Sequence, residues 1–161
     1  MKYILFLVLL FAILPAFAGD TTKLYNPYAD VEKDMADLLI QAKKENKHIM
    51  IQVGGNWCIW CYRFNRFVEM DKELKTLQGN NFLVYHLNYS PENKNEAYLK
   101  KLGFPQRFGF PVIVILDADG HRLHTQDSTL LEQGNTYSTS KVKSFFINWS
   151  PNALKDIYYK E

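Results

Sequence analysis

Cys58 and Cys61 are the only cysteines among the 161 residues, and they lie three positions apart. Three residues make about one helical turn, so both sulfurs fall on one side of a helix and within bonding reach. A disulfide that closes so short a loop stabilises a fold little, because the entropic gain grows with loop length. The spacing therefore favours reversible redox chemistry over a structural crosslink.

The pair follows an apolar run over 48–53 and the sequence Gly54-Gly55, and a predicted helix begins at about Cys58. The partial positive charge of a helix N-terminus stabilises a thiolate, so we expect the Cys58 pKa to fall below ~8.5, within the ~3.5–7.5 range of such motifs. We predict that Cys58 is the exposed nucleophile that attacks a disulfide in another protein. Cys61, more buried, then resolves the mixed disulfide.

Two tryptophans accompany the pair: Trp57 directly precedes Cys58, and Trp60 lies between the two cysteines. We interpret both as flat apolar surfaces offered to an unfolded partner. The alternative is that they are ordinary core residues, since tryptophan is often buried.

A zinc site is the main alternative use of the cysteines, with His121 and His124 completing four ligands. Residues three apart on a predicted strand face opposite sides of the sheet, which disfavours that arrangement. Covalent haem attachment needs a histidine directly after the second cysteine, and Tyr62 stands there. We therefore expect no metal and no cofactor.

The elements that position these residues alternate between helix and strand. A helix is predicted after Asp30, where apolar residues recur at helical spacing. Short apolar runs predict strands over 48–53, 82–88 and 111–116, with a returning strand over 121–126. A strand, helix, strand order implies a parallel pair, and the late hairpin adds antiparallel strands. The prediction is an α/β fold with a mixed central sheet flanked by helices.

The remaining helices are predicted from their capping residues. Asp71 should cap a turn over 72–77, and Ser90-Pro91-Glu92 should begin a helix that runs to Leu102. Ser140 should cap a last helix, and a shorter one should follow Ser150-Pro151.

The N-terminus resembles a secretory signal peptide. Lys2 precedes an unbroken apolar run over 3–14, and Ala16-Phe17-Ala18 supplies a cleavage site. The run is shorter than the roughly 20 residues of a membrane span, and an uncleaved anchor is the alternative. We place the cut after Ala18, which leaves one domain over 19–161. The formal net charge of +2 implies no basic face and no nucleic-acid partner.

Trp57-Cys58-x-x-Cys61 after a strand resembles the thioredoxin superfamily, as does Gly109-Phe110-Pro111-Val112 before an apolar strand. The resemblance implies a thioredoxin-like fold in which Pro111 follows a cis bond and faces the cysteines. It also implies that Pro111 and Phe110 shape a substrate groove. The stretch Gly103-Phe104-Pro105 has the same letters, but no long apolar strand follows it directly.

A secreted bacterial subgroup is similar over roughly residues 30–150, through Asn56-Trp57-Cys58 and Leu116-Asp117-Ala118-Asp119-Gly120. This resemblance implies an exported thiol:disulfide oxidoreductase that is periplasmic or secreted and acts on cysteine-containing envelope proteins. A membrane electron donor is the implied partner.

The chain departs from thioredoxin itself at Gln52, where that protein keeps a buried aspartate that assists its second cysteine. Either another group, Glu69 or a water, takes over this role, or deprotonation of Cys61 is slow. Ile59-Trp60 provides no histidine between the cysteines, which favours a reductase or mild exchange catalyst over a strong oxidant. The alternative function is a binding module with a passive disulfide, docking partners through Trp57, Trp60 and Phe110.

Overall fold

The computed structural model describes residues 23–159, so the predicted signal peptide over 1–18 lies outside the described residues. Within that range no helix combines the length and apolarity needed to cross a bilayer. The helices are α1 (Val31–Glu45), α2 (Ile59–Met70), α3 (Lys72–Asn81), α4 (Glu96–Lys101) and α5 (Thr139–Asn148). The strands are β1 (His48–Gly54), β2 (Phe82–Asn88), β3 (Val112–Leu116), β4 (Arg122–Asp127), β5 (Glu132–Gln133) and β6 (Thr136–Tyr137).

The central sheet has four strands in the order β2-β1-β3-β4. β1 runs parallel to β2 and antiparallel to β3, and β3 pairs antiparallel with β4. The parallel pair requires a crossover, which α2 and α3 supply. The predicted α/β architecture with a mixed central sheet is confirmed.

Helices cover both faces of the sheet. Side chains alternate along the buried strand β1, so they pack against the helices of both layers. Ile49 and Ile51 point into a cluster formed with α1 and α4. Met50 points into a second cluster formed with α2, α3 and α5. β1 is therefore buried on both faces, and the site lies at its C-terminal end.

Two predicted caps are confirmed. The Asp30 carboxylate accepts from Lys33 N at 3.1 Å and begins α1. The Asp71 carboxylate accepts from Glu73 N at 2.9 Å and Leu74 N at 3.2 Å, which begins α3.

The helix predicted from Ser90 is wrong at its start. α4 begins only after Asn95, and residues 90–93 form a turn closed by a bridge between Ser90 and Asn93. Asn88 explains the difference, because its side-chain amide donates to Ser90 Oγ at 3.0 Å and to Asn93 O at 2.7 Å. The Ser90 hydroxyl is therefore engaged by the strand end and does not cap a helix.

The last helix begins two residues earlier than predicted, with Ser138 rather than Ser140 at its cap position. The β5–β6 hairpin just before it was not predicted, since each of its strands is only two residues long. His121 precedes β4 instead of beginning it, and its Nδ1 lies 3.0 Å from Asp117 Oδ2.

Candidate active site

The two cysteines form a disulfide at the start of α2, with their Cα atoms 5.3 Å apart. Cys58 is the N-cap residue, and Cys61 N donates to its sulfur at 3.2 Å. The sulfur of Cys58 therefore lies at the positive end of the helix dipole.

The prediction of an exposed Cys58 is wrong, because this residue is only 3% exposed and Cys61 is fully buried. The two cysteines form a cluster with buried Tyr25, and Leu24, Trp60 and Phe110 pack against it. The cover comes partly from residues 23–28, which we call the N-terminal strap.

Asn56 holds the N-terminal strap beside the cysteines. Its side-chain oxygen accepts from Tyr25 N at 3.1 Å, and its nitrogen donates to Tyr25 O at 2.8 Å. The Tyr62 hydroxyl donates to the same Asn56 oxygen at 2.9 Å and accepts from Leu24 N at 3.4 Å. The asparagine before Trp57-Cys58 thus fixes a segment about thirty residues earlier in the chain.

Gln52 lies beneath the pair and is 1% exposed. Its side-chain nitrogen donates to Tyr25 Oη at 2.8 Å and to Cys61 O at 3.2 Å. Burial raises the pKa of Tyr25 far above its ordinary value, so the phenol stays protonated. Glu69 does not replace the buried acid, because it is exposed and pairs with Lys75 at 2.7 Å.

The peptide bond between Phe110 and Pro111 is cis, as predicted. Trp57 is 55% exposed, and its ring meets Phe110 edge-on with the centroids 5.2 Å apart. Phe110 in turn stacks on Tyr89 at 5.0 Å, and Trp57 Nε1 donates to Tyr89 O at 2.8 Å. The structure therefore brings Trp57, Phe110 and Pro111 together and adds Tyr89.

Two hollows share Trp57 and together form what we call the Trp57 groove. One hollow, of about 270 Å³, is lined by Trp57, Tyr89, Ser90, Pro91 and Lys94. The other, of about 370 Å³, is lined by Lys23, Pro27, Tyr28, Asn56, Trp57, Asn88, Ser90, Pro91 and Glu92.

Trp60 has different neighbours from Trp57. Its ring meets Tyr137 edge-on at 5.7 Å, and the Arg63 guanidinium lies 4.6 Å from its centroid. Trp60 therefore does not line the Trp57 groove, and its predicted contact with substrate stays a prediction.

Sequence reasoning did not identify Tyr25 or Tyr89. Tyr89 directly follows β2, and the C-terminal ends of parallel strands meet at one edge of a sheet, so its place beside Trp57 could have been found. Tyr25 precedes the first helix, and no local pattern connects it with the cysteines.

The four-ligand zinc arrangement is not formed. Within residues 23–159, the one cluster of three or more potential metal ligands contains Asp117, Asp119 and His121, and neither cysteine belongs to it. The His124 ring instead stacks on Trp149 with centroids 4.2 Å apart. The arrangement around the cysteines is suited to dithiol–disulfide exchange, which needs two adjacent sulfurs and a polarised helix end.

A family model described as thioredoxin-like matches residues 28–118. A protein named disulfide bond reductase DsbH, from Chlamydia pneumoniae, is 26% identical over 115 residues, which make up 68% of each chain. The thiol:disulfide interchange protein DsbD of Citrobacter koseri is 26% identical over 98 residues. That match covers 60% of this chain but only 16% of DsbD, so it concerns one part of a much longer protein.

Solved structures share the fold. A disulphide isomerase from Xylella fastidiosa Temecula1 superposes with a TM-score of 0.67 at 22% identity, covering 77% of this chain and 94% of that one. The oxidised DsbD C-terminal domain from Neisseria meningitidis gives 0.51 at 19% identity, covering 76% of this chain and 99% of that domain.

Proposed function

The chain belongs to the thioredoxin-like family and is a thiol:disulfide oxidoreductase, and we propose that after export it reduces or exchanges disulfides in cysteine-containing envelope proteins. The observation that carries this proposal is the Cys58–Cys61 disulfide at the N-terminus of α2, packed against the Phe110 side chain that precedes cis Pro111.

Cys58 is the proposed nucleophile of the pair. After reduction its sulfur lies at the helix N-terminus, where the dipole and the Cys61 N–H stabilise a thiolate. The thiolate attacks a client disulfide and forms a mixed disulfide. Cys61, one turn later and fully buried, then attacks the Cys58 sulfur and releases the reduced client.

The Trp57 groove is the proposed client site. Trp57 offers a half-exposed aromatic face beside the disulfide, and the Phe110 ring, which precedes cis Pro111, meets it edge-on; Pro111 is a further proposed contact. Aromatic side chains that bury readily on contact commonly dominate the energy of protein interfaces. Trp60 is a second proposed contact, on the side of the pair that faces Tyr137.

Export rests on the predicted signal peptide over 1–18 and on the resemblance to secreted bacterial proteins. The test is to measure the mass of the protein recovered from the cell envelope, which should equal that of a chain beginning at Gly19. A full-length chain held inside the cell would contradict export. A reductase outside the cytoplasm must be re-reduced, so we propose a membrane electron donor as its partner.

Serine variants of the two cysteines test the assigned roles. Cys58→Ser should abolish reduction of a disulfide-containing client, because serine cannot form the mixed disulfide. Cys61→Ser should instead trap Cys58 in stable mixed disulfides, visible as higher-mass bands that disappear when the sample is reduced with a thiol. Full reductase activity in Cys58→Ser would refute the assignment.

The reduction potential of the pair separates the remaining alternatives. A value near about −270 mV, like that of thioredoxin, fits a reductase, whereas about −120 mV fits an oxidant that installs disulfides. Two observations favour a binding module with a passive disulfide, namely the low exposure of Cys58 and the glutamine at position 52 in place of an acid. In that case the pair would not equilibrate with glutathione at all.

A further inference from the structure

Tyr25 lies against the cysteine pair with its hydroxyl held in a defined orientation. Tyr25 and Gln52 are each 1% exposed, and Cys61 is fully buried beside them. A carbonyl oxygen can only accept a hydrogen bond, so the Gln52 atom 3.2 Å from Cys61 O is the amide nitrogen. The same nitrogen donates to Tyr25 Oη at 2.8 Å.

Both amide hydrogens of Gln52 are therefore used, and the Tyr25 oxygen is an acceptor toward Gln52. The phenolic hydrogen must point elsewhere. Within residues 23–159, Tyr25 Oη donates to no partner while the disulfide is closed. A buried donor without an acceptor is unfavourable, so the site is suited to an acceptor that appears only in another redox state.

Gly54 lies against both the Tyr25 hydroxyl and the Cys61 sulfur. A Cβ built on Gly54 would fall 2.7 Å from Tyr25 Oη and would also collide with Cys61 Sγ. The hydroxyl and the sulfur thus crowd the same side of one glycine. Each sulfur of a closed disulfide is a poor acceptor, whereas a thiolate is a strong one.

We propose that Tyr25, oriented by Gln52, donates a hydrogen bond to the Cys61 sulfur once the disulfide opens and thereby assists the resolving step. Tyr25 is then a positioning and stabilising residue, oriented by the glutamine that stands at the position of thioredoxin's buried aspartate. This inference rests on the proposed oxidoreductase function.

The step balances without a further reagent. The Cys61 thiolate attacks Cys58 Sγ, the Cys58–Cys61 bond forms, and the bond from Cys58 to the client sulfur breaks. The bonding electron pair leaves with the client, which is reduced while the cysteine pair is oxidised. The proton that Cys61 gave up ends on the client thiolate, and the phenolic proton stays on Tyr25.

The other titratable side chains around Tyr25 come from three elements. Tyr62 of α2 and Tyr137 of β6 lie near it without a hydrogen bond to its hydroxyl, and the His86 ring of β2 lies edge-on at 5.4 Å. Burial lowers the pKa of His86, so this ring stays neutral at and above neutral pH. A rate that changes on the alkaline side therefore reports on the cysteines.

The experiment follows a single turnover of the reduced protein with an aromatic disulfide whose thiolate products are coloured. Attack by Cys58 releases the first product, and resolution by Cys61 releases the second. In Tyr25→Phe the first phase should be unchanged. The pKa that governs the second phase should rise by about one unit, with an approximately tenfold slower rate below it, because one unit is a factor of ten in thiolate population.

Tyr62→Phe is the matched control, since it removes a hydroxyl that anchors the same strap through Asn56 and Leu24 but does not contact Gln52. Its pH profile should match that of the wild type. Gln52→Leu, which removes the donor that orients Tyr25, should shift the second phase in the same direction as Tyr25→Phe.

Three results distinguish the possible failures. An unchanged second phase in Tyr25→Phe would overturn this inference and leave the proposed function intact. Equal shifts in Tyr25→Phe and Tyr62→Phe would also overturn it, because loosening of the strap would then be the cause. A wild-type protein that releases only one equivalent of coloured thiolate, or none, would refute the proposed function itself.

Discussion

Replacing Gly54 with alanine tests how tightly the redox pair is packed. The backbone of Gly54 is not in the left-handed region, so alanine meets no conformational penalty there. The penalty is steric, since the new methyl would overlap Cys61 Sγ and approach Tyr25 Oη to 2.7 Å and Tyr25 Cζ to 3.1 Å. Neither group can retreat easily, because the sulfur is in a disulfide and the hydroxyl is held by Gln52.

Overpacking of this kind in a buried site typically costs about 1–3 kcal/mol of folding stability. Gly79→Ala is the matched control, because Gly79 lies in α3 and a Cβ there would meet nothing within 4 Å. Removing a glycine from an exposed helical position should stabilise the protein by about 0.5–1 kcal/mol. Glycine-to-alanine substitution should therefore lower the free energy of unfolding at position 54 and raise it at position 79.

Urea unfolding of the oxidised protein measures both effects, provided that the dependence on denaturant is unchanged between variants. Gly54→Ala should lower the midpoint, and Gly79→Ala should raise it. A Gly54→Ala protein as stable as the wild type would refute the packing described for Tyr25, Gly54 and Cys61.

Two further predictions concern the groove and the response to pH. Trp57→Ala should raise KM for a protein client by about tenfold with little change in kcat, as expected for an exposed aromatic anchor. Ile59→Ala is the control, because Ile59 is similarly exposed but lies outside the Trp57 groove. Equal KM values for both variants would contradict the assignment. His48 is buried with its Nδ1 2.8 Å from Trp149 O, and burial lowers its pKa from 6.5, so the unfolded chain binds a proton more readily. The contribution of neutral His48 to the free energy of unfolding should therefore be fully present above about pH 6.5 and decrease as the pH falls below it. His48→Gln should flatten this pH dependence when unfolding is measured at several pH values. An unchanged slope would exclude His48 as its source.

The features that could be predicted from the sequence are those encoded within a few neighbouring residues. The cysteine spacing and the caps Asp30 and Asp71 each have a local pattern, the cis bond before Pro111 was implied by the resemblance to thioredoxin, and the structure has all of them. Ser90 had an equally good local pattern and was wrong, because Asn88 competes for its hydroxyl.

The features that could not be predicted depend on contacts between distant parts of the chain. The low exposure of Cys58 arises partly from Leu24 and Phe110, which lie more than thirty positions away on either side. Tyr25 has no sequence neighbour that indicates its role, and only the folded sheet brings it to Gln52. Glu69, one of the two groups expected to substitute for the buried acid, faces solvent on α2.

The strap also determines where a tether to this protein would attach. Lys23, the first described residue, lines the Trp57 groove, and the predicted mature N-terminus at Gly19 is within roughly 15 Å of it even for a fully extended chain. A disulfide-bearing peptide fused ahead of Gly19 would therefore meet the site intramolecularly, at an effective concentration on the order of millimolar. An N-terminal fusion is accordingly a direct way to present weak clients to the cysteines. A purification tag placed there would compete with clients for the Trp57 groove.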